Sequence, residues 1–180
     1  MLNETLTTQA SCADDFDSEA ITVAEARQRI LAKITPVSAT EKSALYQGLN
    51  RVLAQDIISA INVPGHTNSA MDGYALSADD LPQTAPHQYS VIGTAYAGRP
   101  FDGQCHAGQC IRIMTGAAMP AGTDTVVMQE HVEKTSATEI RIAPGHKKFQ
   151  NVRQAGEDIA KDSIVLKQGH TIQAADLGVM

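Results

Sequence analysis

Glycines recur at short intervals between residues 66 and 150, and short β-prone runs lie between them. The runs are residues 89–92, 110–113, 125–128 and 139–142. Glycine punctuates turns, and short runs of β-branched and apolar residues bounded by turns are typical of strands. This spacing predicts a small antiparallel β domain, built as a barrel or a sandwich.

An amphipathic helix is predicted over residues 22–34. Thr22 and Glu25 have the spacing of a capping box, in which each side chain binds the backbone of the other residue. Apolar residues then recur at spacings of three and four, and Pro36 disfavours helix in the residue before it. The apolar positions are Val23, Ala26, Ile30 and Ile34.

The remaining segments predict a chain that is mainly β with some α, an α+β fold. Residues 1–21 are polar and are predicted to be a flexible N-terminus. We expect a short strand at 43–47, a helical turn at 50–54 and an extended run from 57. Strands are expected again at 163–166 and 171–172, and residues 174–178 are typical of a helix start.

Composition restricts both the core and the partners. Hydrophobic residues make up 43% of the chain, but Trp is absent and aromatic residues make up only 4%. The core is therefore expected to consist of Val, Ile, Leu, Ala and Met. The net charge is −6 without a basic run, which favours neither nucleic acid nor an anionic membrane as a partner. No segment has the pattern of a signal peptide or a membrane span, so we predict a cytoplasmic protein.

Three cysteines do not indicate a disulfide framework. Their number is odd, and Cys105 and Cys110 lie close together in sequence, which fits a reducing compartment. A zinc site that uses Cys105, His106 and Cys110 is an alternative function for the β domain. Its spacing is not a standard one, and no second Cys/His pair follows.

Four motifs in a fixed order resemble one enzyme family. They are VPGHTNSAMDGYAL (63–76), IRIMTGAAMP (111–120), DTVVMQE (124–130) and NVRQAGEDI (151–159). Together they resemble the molybdopterin molybdenumtransferases, which comprise bacterial MoeA and the E domains of gephyrin and its plant homologue. The resemblance covers nearly the whole chain from about residue 20.

The resemblance implies an elongated subunit that forms a homodimer. The compact β domain would be residues 63–158, inserted into a lever-like α+β domain made of 35–62 and 159–180. The helix at 22–34 would pack on a molybdopterin-binding domain. That domain and a C-terminal barrel would follow residue 180, so the chain would be an N-terminal part that is inactive by itself.

The resemblance also implies a reaction. The family inserts molybdenum from molybdate into adenylylated molybdopterin, with Mg²⁺ or another divalent cation, and releases AMP. The cleft is shared between subunits, and the enzyme that makes adenylylated molybdopterin is an expected partner. The alternative is a non-catalytic interaction module of the gephyrin type.

Asp72 and Thr115 are the first two candidate catalytic residues. Asp72 matches an acid of the family cleft and could hold Mg²⁺, because hard cations prefer oxygen ligands. On the residues alone, Asp72-Gly73 is equally a turn in which the carboxylate accepts backbone N–H groups. Thr115, followed by Gly116, could bind molybdate or a phosphate, or could simply close a hairpin.

A third group lies at residues 153–158. Arg153 is expected to contact phosphate, and Asp158 is expected to act in catalysis and as a second cation ligand. The resemblance assigns Glu157 and Ser69 to cofactor binding. The family motif often carries more basic residues here, where this chain has Gln154 and Ala155. A plain surface salt bridge is the alternative for Arg153, and Glu130 could equally line the cleft or be merely solvated.

Overall fold

The computed structural model describes residues 21–180. The chain divides into two units, residues 1–42 and 43–180. The predicted flexible segment 1–21 lies outside the described residues, apart from Ile21, and so does Cys12. Among residues 21–180, no helix combines the length and the apolar character needed to cross a membrane.

Helix α1, Val23–Leu31, confirms the predicted helix but is shorter. The Thr22 hydroxyl accepts a hydrogen bond from the Glu25 N–H at 3.2 Å. The Glu25 carboxylate binds Arg29 at 2.7 Å, so the capping box is formed on one side. The turn after Leu31 continues with tighter bonds of the 3₁₀ type, from Lys33 to Ile30 and from Ile34 to Leu31. None of the residues of α1 is buried.

Short strands make up the second unit. They are β1 (Ile57–Ile58), β2 (Asn68–Ser69), β3 (Gly73–Leu76), β4 (His87–Ala95), β5 (Gln109–Ile113), β6 (Thr125–Met128), β7 (Val132–Lys134), β8 (Glu139–Ile142), β9 (Val152–Arg153) and β10 (Ile164–Leu166). Short 3₁₀ helices lie at Leu45–Gln47, Ala78–Asp80, Gln129–His131 and Asp176–Gly178. A mainly β fold with some α is thus confirmed.

The main sheet has six strands in the order β6-β3-β5-β4-β8-β7. Its ladders are antiparallel except for β4 with β5, which run parallel. The strand order starts at β6 and ends at β7, so within the described residues the sheet is open rather than a barrel. Two antiparallel ladders, β1 with β10 and β2 with β9, lie outside it.

Both faces of the sheet are buried around β3. Tyr74 and Leu76 pack in one core, and Ala75 between them packs in the other. Residues of the neighbouring strands are also divided between the two cores, because successive side chains of a strand point to opposite faces of the sheet. Ile, Val, Leu and Ala form most of both cores, as predicted. Among residues 21–180, the only Met packed against them is the partly buried Met119.

Two local predictions near the start of the second unit are wrong. The predicted strand at 43–47 is a 3₁₀ helix, Leu45–Gln47. The predicted helical turn at 50–54 cannot form, because Asn50 has a φ of 63° and its N–H donates to the Ile172 carbonyl. Long-range pairing with the 170–172 segment therefore overrides the local preference. The predicted helix start at 174–178 is the short 3₁₀ helix Asp176–Gly178.

Gly73 lies where two backbones come too close for a side chain. A Cβ at Gly73 would lie 2.2 Å from the Val127 carbonyl oxygen, whereas a Cβ at Gly65 would meet nothing closer than the Asn62 carbonyl oxygen at 3.9 Å. We expect Gly73→Ala to lower the free energy of unfolding by about 1–3 kcal/mol, because β6 must move away from β3. Gly65→Ala should change it by less than about 0.5 kcal/mol. Urea unfolding measures both, and equal midpoints for the two variants would contradict this packing.

Candidate functional site

The turn between β2 and β3 carries the first candidate residues. The Ser69 hydroxyl donates to the Met71 carbonyl at 2.5 Å and accepts from the Met71 N–H at 3.3 Å. Ser69 is fully buried, so its side chain holds the turn. Its assignment to cofactor binding stays a prediction that this geometry does not support. Asp72 follows Met71, directly before β3, and is half-buried.

Asp72 and Thr115 are brought together although 43 residues separate them. One oxygen of the Asp72 carboxylate, Oδ1, accepts from the Thr115 N–H at 2.7 Å and from the Thr115 hydroxyl at 2.8 Å. Thr115 itself is exposed. Asp72 Oδ2 accepts none of the hydrogen bonds found within residues 21–180. The carboxylate thus makes a tertiary contact through Oδ1.

Backbone contacts fix the Thr115 turn against the Ser69 turn. The Gly116 N–H donates to the Ser69 carbonyl at 2.8 Å, and the Ser69 N–H donates to the Ala117 carbonyl at 3.0 Å. Gly116 has a φ of 81°, a conformation that glycine adopts without strain. The predicted alternative, in which the Asp72 carboxylate accepts local backbone N–H groups of its own turn, is replaced by the long-range contact with Thr115. The role of Asp72 toward a ligand stays a prediction.

The Asp72 carboxylate is stabilised in its ionised form. The backbone N–H of Thr115 and then its hydroxyl lower the pKa of Asp72 below the ordinary value, and the positive charge of Arg112 adds to this effect. Hydrogen bonds to a charged form favour that form. Asp72 therefore carries its negative charge at neutral pH.

Arg112, on β5, lies next to the candidate site, and the sequence prediction missed it. It donates to the Gly73 carbonyl at 2.8 Å and to the side-chain oxygen of Gln129. Its guanidinium carbon lies 5.1 Å from the centre of the Tyr74 ring, within the range of a cation–π contact. The sequence did contain a signal for Arg112, because it is the charged residue of a strand whose three apolar residues are buried.

Arg153, Glu157 and Asp158 form a compact ion-pair cluster at the end of β9. Arg153 Nε lies 2.7 Å from Glu157, and one terminal nitrogen lies 2.6 Å from each oxygen of Asp158. Arg153, followed by the Gln154 N–H, lowers the pKa of Glu157. The predicted salt-bridge alternative for Arg153 is therefore present. The phosphate role of Arg153 and the cation role of Asp158 stay predictions.

Strand β2 lies between the two groups of candidate residues. Asn68 pairs with Arg153 on one side and bridges Ala118 on the other. The Ala70 N–H also donates to the Asn151 carbonyl at 2.9 Å. Within the described part of the chain, no hydrogen bond or ion pair joins Asp72 or Thr115 directly to Arg153 or Asp158. The groups are thus connected through one short strand.

The acids do not form a ready-made metal centre. Residues 21–180 contain no group of three or more His, Cys, Asp or Glu side chains placed to hold a metal ion. Asp72 has one oxygen available, while both oxygens of Asp158 contact Arg153. Mg²⁺ is commonly held by one or two protein carboxylates together with substrate phosphates, so Asp72 fits such a site and Asp158 does not in this arrangement.

The structure also shows the environment of the two cysteines of the zinc alternative. Cys105 and Cys110 are free thiols buried in the two different cores, which gives the zinc alternative no support. Burial raises the pKa of Cys110 to about 12, so that thiol is protonated at neutral pH.

Glu130 is exposed, and its carboxylate accepts a hydrogen bond from Gln129 at 3.2 Å.

Comparisons with known proteins agree with this fold. Residues 21–180 match the model of the MoeA N-terminal region (domain I and II). A molybdopterin molybdenumtransferase from Haemophilus influenzae is 41% identical over 160 residues, which are 89% of this chain and 39% of that relative. A gephyrin from Dictyostelium discoideum is 31% identical over 155 residues, which are 78% of this chain and 21% of that protein.

A solved structure shows the same likeness. The molybdopterin biosynthesis moeA protein of Pyrococcus horikoshii OT3 has a TM-score of 0.79 and 32% sequence identity, over 87% of this chain and 42% of that one. The chain thus spans about two fifths of the length of the Haemophilus and Pyrococcus proteins.

Replacing the Thr115 hydroxyl should raise the pKa of Asp72. Thr115→Val removes the second cause of the low pKa and keeps the first, the backbone N–H bond. The pKa should therefore rise only part of the way to its ordinary value, and carboxyl ¹³C NMR titration measures it. Thr138→Val, at an exposed position, is the control. No rise in Thr115→Val would contradict the hydroxyl contact.

The stability that ionised Asp72 contributes has a defined pH window. Because its folded pKa is lowered, this stability is present above the unfolded pKa and is lost as the pH falls through the folded value. In Thr115→Val the two pKa values lie closer together. The part of the acid-induced loss that is due to Asp72 should accordingly be smaller than in the wild type.

Proposed function

This chain belongs to the MoeA family, as its N-terminal region, and we propose that the complete enzyme inserts molybdenum from molybdate into adenylylated molybdopterin and releases AMP. The name molybdopterin molybdenumtransferase, carried by the relatives from Haemophilus influenzae and Staphylococcus epidermidis, supports this proposal. Because the chain spans only part of their length, we assign turnover to the complete enzyme and expect this part alone to be inactive.

The observation that carries the proposal is the fixed, ionised carboxylate of Asp72. Its Oδ1 is held by Thr115, and its Oδ2 remains available next to the start of β3, an inner strand of the main sheet. A phosphoanhydride and molybdate are both anionic, so a carboxylate needs a cation between itself and either of them. Asp72 is therefore proposed to hold the divalent cation through Oδ2, with ligand phosphate completing the site.

The divalent cation, Mg²⁺ or another, would supply charge neutralisation at the phosphoanhydride. The residues of this chain would position the cation and the ligand. Asp72 is pinned by two hydrogen bonds, and the Thr115 hydroxyl oxygen keeps a lone pair that can accept from a ligand or a bound water. The exposed turn at Thr115-Gly116 is the proposed contact for an oxyanion.

Arg153 is proposed to contact a phosphate of the ligand. In the chain as it stands, Glu157 and Asp158 neutralise its charge. A ligand phosphate would have to replace Asp158 on the guanidinium, which prefers planar, two-pronged partners. Asp158 would then be released and could act as the second carboxylate of the cation site.

The partners and the location follow from family membership and are proposals too. We propose a homodimer in which each cleft takes residues from both subunits, in the cytoplasm. The supplier of adenylylated molybdopterin is the enzyme that would meet it there. A second candidate, a non-catalytic interaction module of the gephyrin type, is favoured by the match to the Dictyostelium gephyrin.

Asp72→Asn tests the proposal in the complete enzyme. The amide keeps the size of the side chain and removes its charge, so it holds a divalent cation much more weakly than the carboxylate does. We expect molybdate-dependent AMP release to fall by about 100-fold or more. Asp102→Asn, at an exposed position outside the site, should leave the rate unchanged.

Circular dichroism and the oligomeric state serve as folding controls for both variants. Full activity of a folded Asp72→Asn enzyme would remove Asp72 from the reaction. A wild-type enzyme that releases no AMP from adenylylated molybdopterin would favour the interaction module instead.

A further inference from the structure

Arg112 contacts the backbone directly after Asp72 and the side chain of a second residue that itself holds Asp72. Its terminal nitrogen Nη1 donates to the carbonyl of Gly73, the residue that follows Asp72. Its other terminal nitrogen donates to the side chain of Gln129. The backbone N–H of that same Gln129 donates to the Asp72 carbonyl at 3.1 Å. One guanidinium thus ties together the two groups that hold the Asp72 main chain.

The guanidinium is itself held in place. It lies over the face of Tyr74, a buried residue directly opposite Arg112 in the β3–β5 ladder. A planar guanidinium can stack on a ring and donate from both terminal nitrogens at once, which a lysine ammonium on a flexible stem does not reproduce. The site therefore uses the shape of arginine as well as its charge.

We propose that Arg112 is a positioning residue for the Asp72 site, which fixes the start of β3 so that the Asp72 carboxylate meets the Thr115 turn. It acts through Gly73 and Gln129, without a hydrogen bond to Asp72 among those in residues 21–180. The inference rests on the proposed function, since positioning matters for activity only if Asp72 faces the ligand. The geometric part of it is independent of activity.

The Thr115 N–H is a direct reporter of this positioning. It donates to Asp72 Oδ1 at 2.7 Å from an exposed residue, so its protection from hydrogen exchange depends on where that carboxylate lies. In Arg112→Met, which keeps the length of the stem and loses both donors, we expect the Thr115 amide to exchange about tenfold faster. Arg112→Lys should restore only part of the protection.

A matched control and a second variant complete the experiment. Arg141→Met removes an arginine from β8 whose exposed ion pair with Glu133 lies away from Asp72, and it should leave Thr115 exchange unchanged. Gln129→Leu removes one of the two links while Arg112 stays. It should speed the exchange in the same direction by a smaller factor, and it keeps the test available if Arg112→Met does not fold.

Activity of the complete enzyme provides the second readout. We expect Arg112→Met to lower kcat for AMP release by about tenfold and to change the KM for molybdate by less than about threefold, as for a group that orients a residue without binding substrate. Unchanged Thr115 exchange in folded Arg112→Met and Gln129→Leu would overturn the inference. Faster exchange with no AMP release in the wild type would confirm the positioning and reject the proposed function.

Discussion

Strand β3 is hydrogen-bonded on both edges and buried on both faces, and the position of Asp72 depends on this constraint. β5 and β6 pair with it, and its side chains alternate between two cores. A shift of one residue would exchange Tyr74 and Ala75 between those cores, so the register has a single good solution. Because Asp72 lies directly before β3, the register of β3 also fixes the position of the Asp72 backbone.

The site divides its tasks between buried and exposed residues. Ser69 and Gly73 are buried and shape the backbone, since one closes a turn and the other permits a close approach of β6. Asp72 and Thr115 are the accessible groups that this backbone presents. Hydrogen bonds join the two turns that carry Asp72 and Thr115, and the sheet fixes where both turns begin.

The local sequence pattern was sufficient to predict some of the strands. Short β-prone runs between glycines located β5, β6 and β8, because such strands bury alternate or continuous apolar residues. Pairing partners are not local, so the parallel contact of β4 with β5 could not be read from the sequence. The error at 50–54 has the same origin, because residues near 171 determine the conformation of Asn50. The motifs indicated Asp72 and Thr115 separately, but only the fold showed that they touch. The sequence shows Arg112 as a charged residue in an apolar strand, but its contacts with Gly73 and Gln129 could be seen only in the fold.

The central claim is that Asp72 and Thr115 act as one unit, and a double-mutant cycle in the complete enzyme tests it most directly. Molybdate-dependent AMP release is measured for Asp72→Asn, Thr115→Val and the double variant. If the hydroxyl works through the carboxylate, the double variant should be no slower than Asp72→Asn alone, within about a factor of two. Losses that multiply would show that the two residues act independently and would contradict the account.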